Sequence, residues 1–342
     1  MMPDESWISA LAARVQDDVP FVPRPYDAIA RDLGVPAQQV LGQLVEWFRG
    51  EQLREISAVL EGEALGYESA LVAGTVSPAR LEEVVRIVNG HPTVTHNYLR
   101  DHRYNLWFTL AVPAPMGIEA SLRLLAREAN VSGFFPLRRT ATYKIGVRFA
   151  LDSLENNTSY RALEEIRPIT VTSELQAAFR ALQRPLPLVE RPFAALARDA
   201  GMTEDELLTV ARRHHGCAIR RYVATFRHRR MGIQANGMVV WRVGDDERDA
   251  TGTALAQAPQ VSHCYARSAI DGFPYTLYTM LHGQTEDAVS ARARELSALV
   301  GISDYAILFS RKELKKCRLR YFLPELERWW EQRAPLPAGA VE

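Results

Sequence analysis

Apolar residues recur every three to four positions in two stretches, residues 20–60 and residues 187–226, which lie 167 positions apart in the chain. Such spacing predicts amphipathic helices. Each stretch contains a proline-aromatic pair, an Ala-Arg-Asp triplet and then a glycine, Gly34 or Gly201, at the predicted turn between two helices. Each ends in a β-rich segment, LREISAVL or IRRYVATF. The pattern therefore predicts a winged helix-turn-helix that occurs twice.

The region after each predicted helix-turn-helix alternates between strand-like and helix-like patterns. In the first copy, strands are predicted at residues 66–76, 92–100, 105–112 and 143–149, and helices at residues 78–89 and 118–129. In the second copy, the first strand is predicted at residues 232–243. The order β-α-β-β-α-β is that of a ferredoxin-like sheet. We therefore predict an α+β protein, a tandem duplication of a winged helix-turn-helix domain followed by a ferredoxin-like domain.

The repeat also sets the expected domain boundaries. HPTVTHNYLR at residues 91–100 recurs as APQVSHCYAR at residues 258–267, again 167 positions later. The expected divisions are helix-turn-helix 1–62, ferredoxin-like 63–152, linker 153–172, helix-turn-helix 173–230, ferredoxin-like 231–328 and C-terminal tail 329–342.

The balance of basic and acidic residues limits which kinds of partner the protein is expected to bind. The 342 residues include 41 basic and 41 acidic ones, so the net charge is zero. A protein held on nucleic acid mainly by electrostatics needs a basic surplus on its binding face. Residues 168–342 hold 24 basic and 20 acidic residues, which makes the second half the expected binder of anions.

Cysteine usage and hydropathy bear on the compartment. Three widely separated cysteines form neither a disulfide framework nor a zinc pattern. The N-terminus MMPDESW is acidic and has no apolar signal-peptide core, and no uncharged run reaches the length of a membrane span. We expect a cytoplasmic protein with no membrane partner.

One predicted strand carries the candidate chemistry in each copy. Residues spaced by two on a strand point to the same face. The spaced residues are Val94, His96, Tyr98 and Arg100 in the first copy, and Val261, His263, Tyr265 and Arg267 in the second. A histidine held structurally at an interface and a functional histidine are both compatible with this pattern.

Three stretches resemble the siroheme decarboxylases, which are Lrp/AsnC-like proteins of heme d1 formation and of the siroheme-dependent heme route. They are HPTVTHNYLRDHRYNLWFTL (91–110), PQVSHCYARSAIDGFPYTLYTMLHG (259–283) and LFSRKELKKCRLRYF (308–322). The first half resembles the D-type subunit of the heme d1 system and the second half the L-type. The chain departs from the family pattern at Phe273-Pro274-Tyr275-Thr276, where Trp-Pro-Tyr-Asn is expected, and at Leu314, where Tyr is expected.

The resemblance implies removal of CO2 from the acetates at C12 and C18 of siroheme, giving 12,18-didecarboxysiroheme. It implies no cofactor beyond the iron that siroheme carries, and assembly as a homo-oligomer or with related decarboxylase subunits. The expected catalytic residues are His263 and His96, as donors of the proton to the carbon once CO2 has left, with Tyr265 and Tyr98 orienting or relaying. His263 is favoured because it lies in the more basic half.

Siroheme carries several carboxylates, which call for arginine and lysine. The expected substrate-binding residues are Arg267, Arg100, Arg138, Arg139, Arg311, Lys312, Lys315, Lys316, Arg318, Arg320, Trp107, Phe108, Phe273, Tyr275, His282 and His102. Either of the last two is a candidate axial ligand of the siroheme iron. No metal site of the protein's own is expected, because His91, His96 and His102 lack a recognised ligand spacing.

Two other classes of protein share these features. A helix-turn-helix transcription regulator has the same predicted architecture, but its second helix must approach DNA. Here the corresponding helix of the second copy opens with Glu204, Asp205 and Glu206, whose charges oppose DNA binding. A heme-binding module without catalysis would share every carboxylate-binding residue. It would differ only in turnover.

Overall fold

The computed structural model describes residues 6–145, 168–226 and 235–334, which form two compact units. One unit, here the helical unit, contains the N-terminal part of each copy. The other, the barrel unit, contains the C-terminal part of each copy. The structure confirms the mixed α+β class. The expected linker lies almost entirely outside the described residues, and the expected domain boundaries stay predictions.

The helical unit repeats one arrangement of three helices and a strand. Gly34 and Gly201 lie at the predicted turns with positive φ angles of 68° and 73°, a conformation that glycine adopts readily. The elements are α1 (Ser6–Asp17), α2 (Pro25–Leu33), α3 (Ala37–Arg49), β1 (Leu53–Leu60), α6 (Ser173–Leu182), α7 (Pro192–Asp199), α8 (Glu204–His214) and β6 (Ile219–Phe226).

The two predicted wing strands pair with each other. Strands β1 and β6 form an antiparallel two-stranded sheet among the described residues, with Ser57 opposite Val223. Each strand therefore completes a sheet across the two copies, where the sequence predicted a separate wing in each.

The barrel unit contains the β-α-β-β-α-β order twice. A short 3-10 turn precedes α4, and a further helix, α11, follows the last strand. The elements of the first copy are β2 (Tyr67–Gly74), α4 (Leu81–Gly90), β3 (His96–Arg100), β4 (Leu106–Pro113), α5 (Ile118–Ala129) and β5 (Phe134–Ile145). Those of the second copy are β7 (Ala235–Trp241), α9 (Arg248–Gln257), β8 (Val261–Arg267), β9 (Leu277–Gly283), α10 (Glu286–Val300), β10 (Tyr305–Lys316) and α11 (Pro324–Glu331).

The two sheets join into one barrel. Within the described ranges the closed strand order is β10-β3-β4-β2-β5-β8-β9-β7. The last strand of each copy, β5 or β10, leaves its own sheet and pairs with the second strand of the other copy. Both are 12 residues long and both contain two register shifts, which bend a strand locally.

Apolar side chains fill part of the barrel interior. One cluster combines residues from β2, β4, β5, β7, β9 and β10: Ala73, Trp107, Leu137, Met238, Val240, Tyr278 and Leu308. Only the inside of a closed barrel brings these strands together. A second cluster, with Val239, Leu281 and Leu296, lies between the second-copy strands and α10. This cluster marks the outer, helix-covered face.

The final strand of the first copy, predicted at residues 143–149, begins earlier than predicted. The structure places β5 at Phe134–Ile145, and residues 146–149 lie outside the described ranges. The polar run Arg138-Arg139-Thr140 hid this strand, because it interrupts the apolar alternation where the strand crosses between sheets. Among the described helices, none is long and apolar enough to cross a membrane.

Candidate active site

Both His-x-Tyr-x-Arg rows face the interior of the barrel. Tyr98 on β3 lies opposite Trp107 on β4, and Tyr265 on β8 lies opposite Tyr278 on β9. Directly opposed residues share a face of the sheet, and both Trp107 and Tyr278 belong to the interior cluster. The predicted common face of histidine, tyrosine and arginine is therefore correct in each copy.

The two valines do not share that face. Val94 precedes β3 in a turn, where its N–H donates to the His91 carbonyl. Val261 lies in β8, but the register shifts between Val261 and His263. This shift places Val261 in the outer cluster together with Cys264. The row in each copy therefore consists of three residues.

The two rows run in the same direction on opposite walls of the barrel. Every neighbouring pair of strands is antiparallel, and β3 and β8 are four strands apart around the barrel. The two strands therefore point the same way, with His96 and His263 toward one end, here the His end. Arg100 and Arg267 lie about 13 Å further along, at roughly 3.3 Å per residue, toward the Arg end.

A hydroxyl group contacts the histidine of each row. Ser262 Oγ lies 3.1 Å from His263 Nδ1 and 2.9 Å from His282 Nε2. In the first copy, Thr95 Oγ1 lies 3.0 Å from His96 Nδ1. The His end thus contains a hydrogen-bonded chain on each wall, with two histidines on the second-copy wall and one on the first-copy wall.

Burial keeps these histidines uncharged at neutral pH. Desolvation, with the nearby His282 and Lys144, lowers the pKa of His263 to about 4. Desolvation is also the largest cause that lowers the pKa of His96 and of His282, and the Lys316 ammonium adds to it at both rings. Lys316 thus acts on histidines of both copies.

Arg100 is buried and Arg267 is half-buried, and the two arginines have matching contacts. Arg100 Nη1 donates to the Leu308 carbonyl at 2.7 Å, and Arg267 Nη1 donates to the Leu137 carbonyl at 3.1 Å. The guanidinium of Arg100 lies over the ring of Tyr98. Desolvation lowers the pKa of Arg100 to about 10 and also lowers that of Arg267. The Nε atoms of both arginines are buried without a hydrogen-bond partner among the described residues.

Other interior polar atoms lack partners in the described part of the chain. Thr142 lies opposite Tyr265, Ser310 opposite Arg100, and Asn236 opposite His282. The hydroxyl or carbonyl oxygens of Thr142, Ser310 and Asn236 are buried and have no hydrogen-bond partner among residues 6–145, 168–226 and 235–334. Buried polar atoms normally have a partner, so these atoms fit a polar ligand or water inside the barrel.

Aromatic side chains close together at the Arg end. The Phe273 ring lies 5.5 Å from Trp107, 5.3 Å from His102 and 4.9 Å from Tyr275. Tyr104 OH donates to the Asp271 carbonyl, which joins the loops that follow β3 and β8. Four predicted residues, Trp107, Phe273, Tyr275 and His102, are thus brought together, and Trp107 connects them to Tyr98 of the first row. Phe108 alternates with Trp107 along β4 and packs against Phe134.

The basic run of β10 does not act as one surface, because two register shifts divide it. Lys316 lies opposite His96 on the inner face, and Lys315 lies opposite Asn97. Lys315 Nζ donates to the Asn89 carbonyl at the end of α4 at 2.6 Å. Arg311 pairs with Asp101 and Glu286 at the surface.

The remaining predicted basic residues divide in the same way. Arg139 lies opposite Arg267, whereas Arg138 is engaged by the carboxylates of Glu68 and Glu119. Lys312 and Arg320 are exposed, and Arg318 is half-buried beyond the end of β10.

The two candidate iron ligands have different surroundings. His102 Nδ1 accepts the N–H of Tyr104 at 3.1 Å, so a neutral His102 carries its proton on Nε2. His282 lies at the His end in contact with Ser262. Among the described residues, no group of three or more histidine, cysteine, aspartate or glutamate side chains could hold a metal ion.

Sequence comparison identifies the family. The chain is 37% identical to a siroheme decarboxylase of Hydrogenobacter thermophilus over 93% of this chain and 96% of that protein. The chain belongs to the siroheme decarboxylase family. A siroheme decarboxylase NirDL subunit of Paracoccus denitrificans is 32% identical over 87% of this chain. A beta subunit from Desulfovibrio desulfuricans is 38% identical and matches 44% of this chain but 95% of its own length.

Domain and structure comparisons agree with membership of the siroheme decarboxylase family. Residues 64–144 and 230–315 match the AsnC-like ligand binding domain. Residues 176–217 match the siroheme decarboxylase NirDL-like HTH domain. The crystal structure of the siroheme decarboxylase NirDL in complex with an iron-uroporphyrin III analogue has a TM-score of 0.78 and 33% identity, and covers 95% of this chain and 98% of that one.

Sequence reasoning missed several polar residues of this site. Ser262, Thr142, Asn236 and Ser310 lie next to or opposite the predicted residues, yet none was singled out. For Ser262 a signal existed, because a hydroxyl residue directly precedes the histidine in both copies, as Thr95 and as Ser262. For the other three no local signal existed, because strand pairing creates their positions. Pairings between the two copies place Thr142 and Ser310, and the pairing of β7 with β9 places Asn236.

Proposed function

We propose that this chain decarboxylates siroheme at the C12 and C18 acetates and releases 12,18-didecarboxysiroheme. The observation that carries the proposal is the pair of His-Tyr-Arg rows on opposite walls of one barrel. It is supported by family membership across 93% of the chain. The solved NirDL relative in complex with an iron-uroporphyrin III analogue supports a tetrapyrrole as the ligand.

Arginines and a lysine that face the barrel interior are suited to the carboxylates that do not react. Arg100, Arg139, Arg267 and Lys316 lie on that face by their strand pairings. An ion pair to the reacting carboxylate would stabilise the ground state, since charge leaves that carboxylate in the transition state. We therefore assign these residues to spectator carboxylates, and retain Lys312 and Arg318 as candidates outside the barrel wall.

The reacting acetate is assigned to His263, whose ring is buried in the barrel. Because the pKa of His263 is lowered to about 4, its ring is neutral at pH 7 and acts first as a base. It takes the proton of the acetic acid group, whose neutral form burial favours. The carbon-carbon bond then breaks, CO2 leaves, and the bonding pair stays on the methylene carbon. The histidine returns the proton to that carbon, which becomes a methyl group.

The reaction needs no further reactant, since the proton of the carboxyl group becomes the third hydrogen of the methyl group. Tyr265 and Tyr98 stand next to the histidines in their rows and are assigned to orient the substrate. The iron belongs to the substrate. Of the two candidate axial ligands, His282 is favoured over His102 because it lies at the end of the barrel that holds His96 and His263.

The helix-turn-helix regions are assigned a scaffold role. Two of the three carboxyl residues that open α8 stabilise the start of the helix. Glu206 forms a capping box with Thr203, and Glu204 pairs with Arg191. Their negative charge disfavours an approach to DNA phosphates. We also propose that the whole chain is a tandem duplication of the winged helix-turn-helix and ferredoxin-like pair. Relatives named as subunits support assembly with itself or with related subunits.

Anaerobic incubation of the purified protein with siroheme, followed by mass analysis of the tetrapyrrole, tests the function. The expected product has lost two CO2. Tight binding with no loss of CO2 would instead indicate a non-catalytic tetrapyrrole-binding module. Sequence-selective binding to its own upstream DNA would indicate a regulator.

A further inference from the structure

Ser262 lies at the centre of three polar contacts at the His end. Its Oγ lies 3.1 Å from His263 Nδ1, 2.9 Å from His282 Nε2 and 3.1 Å from the Met280 carbonyl oxygen. The register shift between Val261 and His263 puts Ser262 at a bulge in β8. A bulge redirects a side chain locally, so the fold itself sets this position.

Counting hydrogens assigns a donor to each contact. A serine hydroxyl has one hydrogen to donate and two lone pairs that accept. The Met280 carbonyl can only accept, so it takes the hydroxyl hydrogen. Both histidine nitrogens must then donate to Ser262 Oγ. His263 therefore carries its proton on Nδ1 and has an unprotonated Nε2.

We propose that Ser262 is a positioning residue, which fixes the tautomers of His263 and His282 and leaves His263 Nε2 as the nitrogen able to accept a proton. The proposal rests on the proposed function, in which that nitrogen takes the proton of the acetic acid group. The other tautomer would present an N–H to the substrate and could not begin the reaction. The lowered pKa of His263 agrees with this assignment, since a neutral ring has a single tautomeric proton to place.

The first copy lacks this constraint. Thr95 Oγ1 contacts His96 Nδ1 at 3.0 Å and Thr109 Oγ1 at 2.9 Å. Either threonine hydroxyl can be the donor in their mutual contact, so the hydrogen count leaves the tautomer of His96 open. The hydrogen bonds thus fix the tautomer of His263 but not that of His96. This difference independently favours His263 as the working histidine, and it supplies a matched control.

Nitrogen-15 NMR of the histidine rings in the substrate-free protein at pH 7.5 tests the proposal. The His263 signals are assigned among the eight histidines by their loss in His263→Gln. In the unaltered protein we expect His263 with Nδ1 protonated and Nε2 unprotonated. Ser262→Ala should produce a mixture of tautomers, Ser262→Thr should restore the single form, and Thr95→Val should leave the His263 signals unchanged.

A His263 ring protonated on Nε2 in the unaltered protein would overturn the proposal, and so would an unchanged tautomer in Ser262→Ala. Should Ser262→Ala fail to fold, the tautomer of His263 in the unaltered protein and in Ser262→Thr still tests the proposal. Because no siroheme is present, this result stands whether or not the protein decarboxylates siroheme. Failure of the proposed function is therefore recognised separately.

A kinetic measurement separates positioning from a merely structural role. In single turnover with siroheme, Ser262→Ala should slow the loss of CO2 roughly 10- to 100-fold, by analogy with the loss of a partner that orients a metal-binding histidine. The dissociation constant of siroheme should change little, and Ser262→Thr should recover most of the rate. An unchanged rate in Ser262→Ala would refute the positioning role.

Discussion

Acidification should weaken the barrel unit, and His91 allows the size of one contribution to be calculated. Its ring is fully buried, accepts the N–H of Thr93 at 3.2 Å and packs on Trp329 with ring centroids 4.3 Å apart. Burial, with the nearby Lys315 and Arg333, lowers its pKa to about 3. In the unfolded chain the pKa is about 6.5. Below that pH the unfolded chain binds a proton on His91 and the folded protein does not. The free energy of unfolding therefore falls as the pH falls.

The magnitude follows from the width of that interval. One pKa unit corresponds to about 1.36 kcal/mol, so lowering the pH to 5.0 covers about 1.5 units below the unfolded pKa. The folded ring remains neutral over this range, and His91 alone should therefore cost the fold about 2 kcal/mol.

Urea unfolding at pH 7.5 and pH 5.0, followed by tryptophan fluorescence, measures this contribution by comparison with His91→Gln. Gln does not titrate, and the other ionisable groups are shared by both proteins. The free energy of unfolding of the unaltered protein should therefore fall by about 2 kcal/mol more than that of the variant. Equal losses in the two proteins would refute the reasoning.

Three further outcomes are expected. His263→Ala should slow single-turnover decarboxylation by about 10² to 10⁴ with little change in siroheme affinity, and more than His96→Ala does; the reverse order would move the working histidine to the first copy. Arg267→Met should weaken siroheme binding, measured by absorbance titration, by about 1 to 3 kcal/mol, and an unchanged affinity in a folded variant would place the carboxylates elsewhere. Gly252→Ala should destabilise the protein by on the order of 1 to 3 kcal/mol in thermal unfolding, because the added Cβ would lie 2.5 Å from a tyrosine ring on β5. Gly90→Ala is the control, because its added Cβ would have no atom within 4 Å. Equal stabilities of the two variants would contradict the packing argument.

The histidine rows could be predicted because strand periodicity is local. Side chains two apart share a face whatever the strand pairs with, so His96, Tyr98 and Arg100 were correctly grouped. The same rule failed at Val261, because a single register shift reverses the face of a residue and leaves no mark in the sequence.

The basic run shows a second limit of local patterns. Charge and spacing suggested that Lys315 and Lys316 act together, yet only Lys316 lies opposite His96 on the inner face. Lys315 instead satisfies a carbonyl at the end of α4. Which of two adjacent lysines reaches the interior depends on the two shifts in β10, and these follow from its pairing with a strand more than 200 residues earlier.

The exchange of last strands makes each half dependent on the other. Separated, each four-stranded sheet would expose the edge of a strand that now pairs across the copies, and exposed edges invite aggregation. Joining both halves in one chain holds them at a high effective concentration in a fixed one-to-one ratio. The barrel then closes without a second chain, so the two halves need not have the same sequence. One wall can specialise in chemistry while the other wall completes the barrel. The residues that follow the two histidines already differ, Asn97 after His96 and Cys264 after His263.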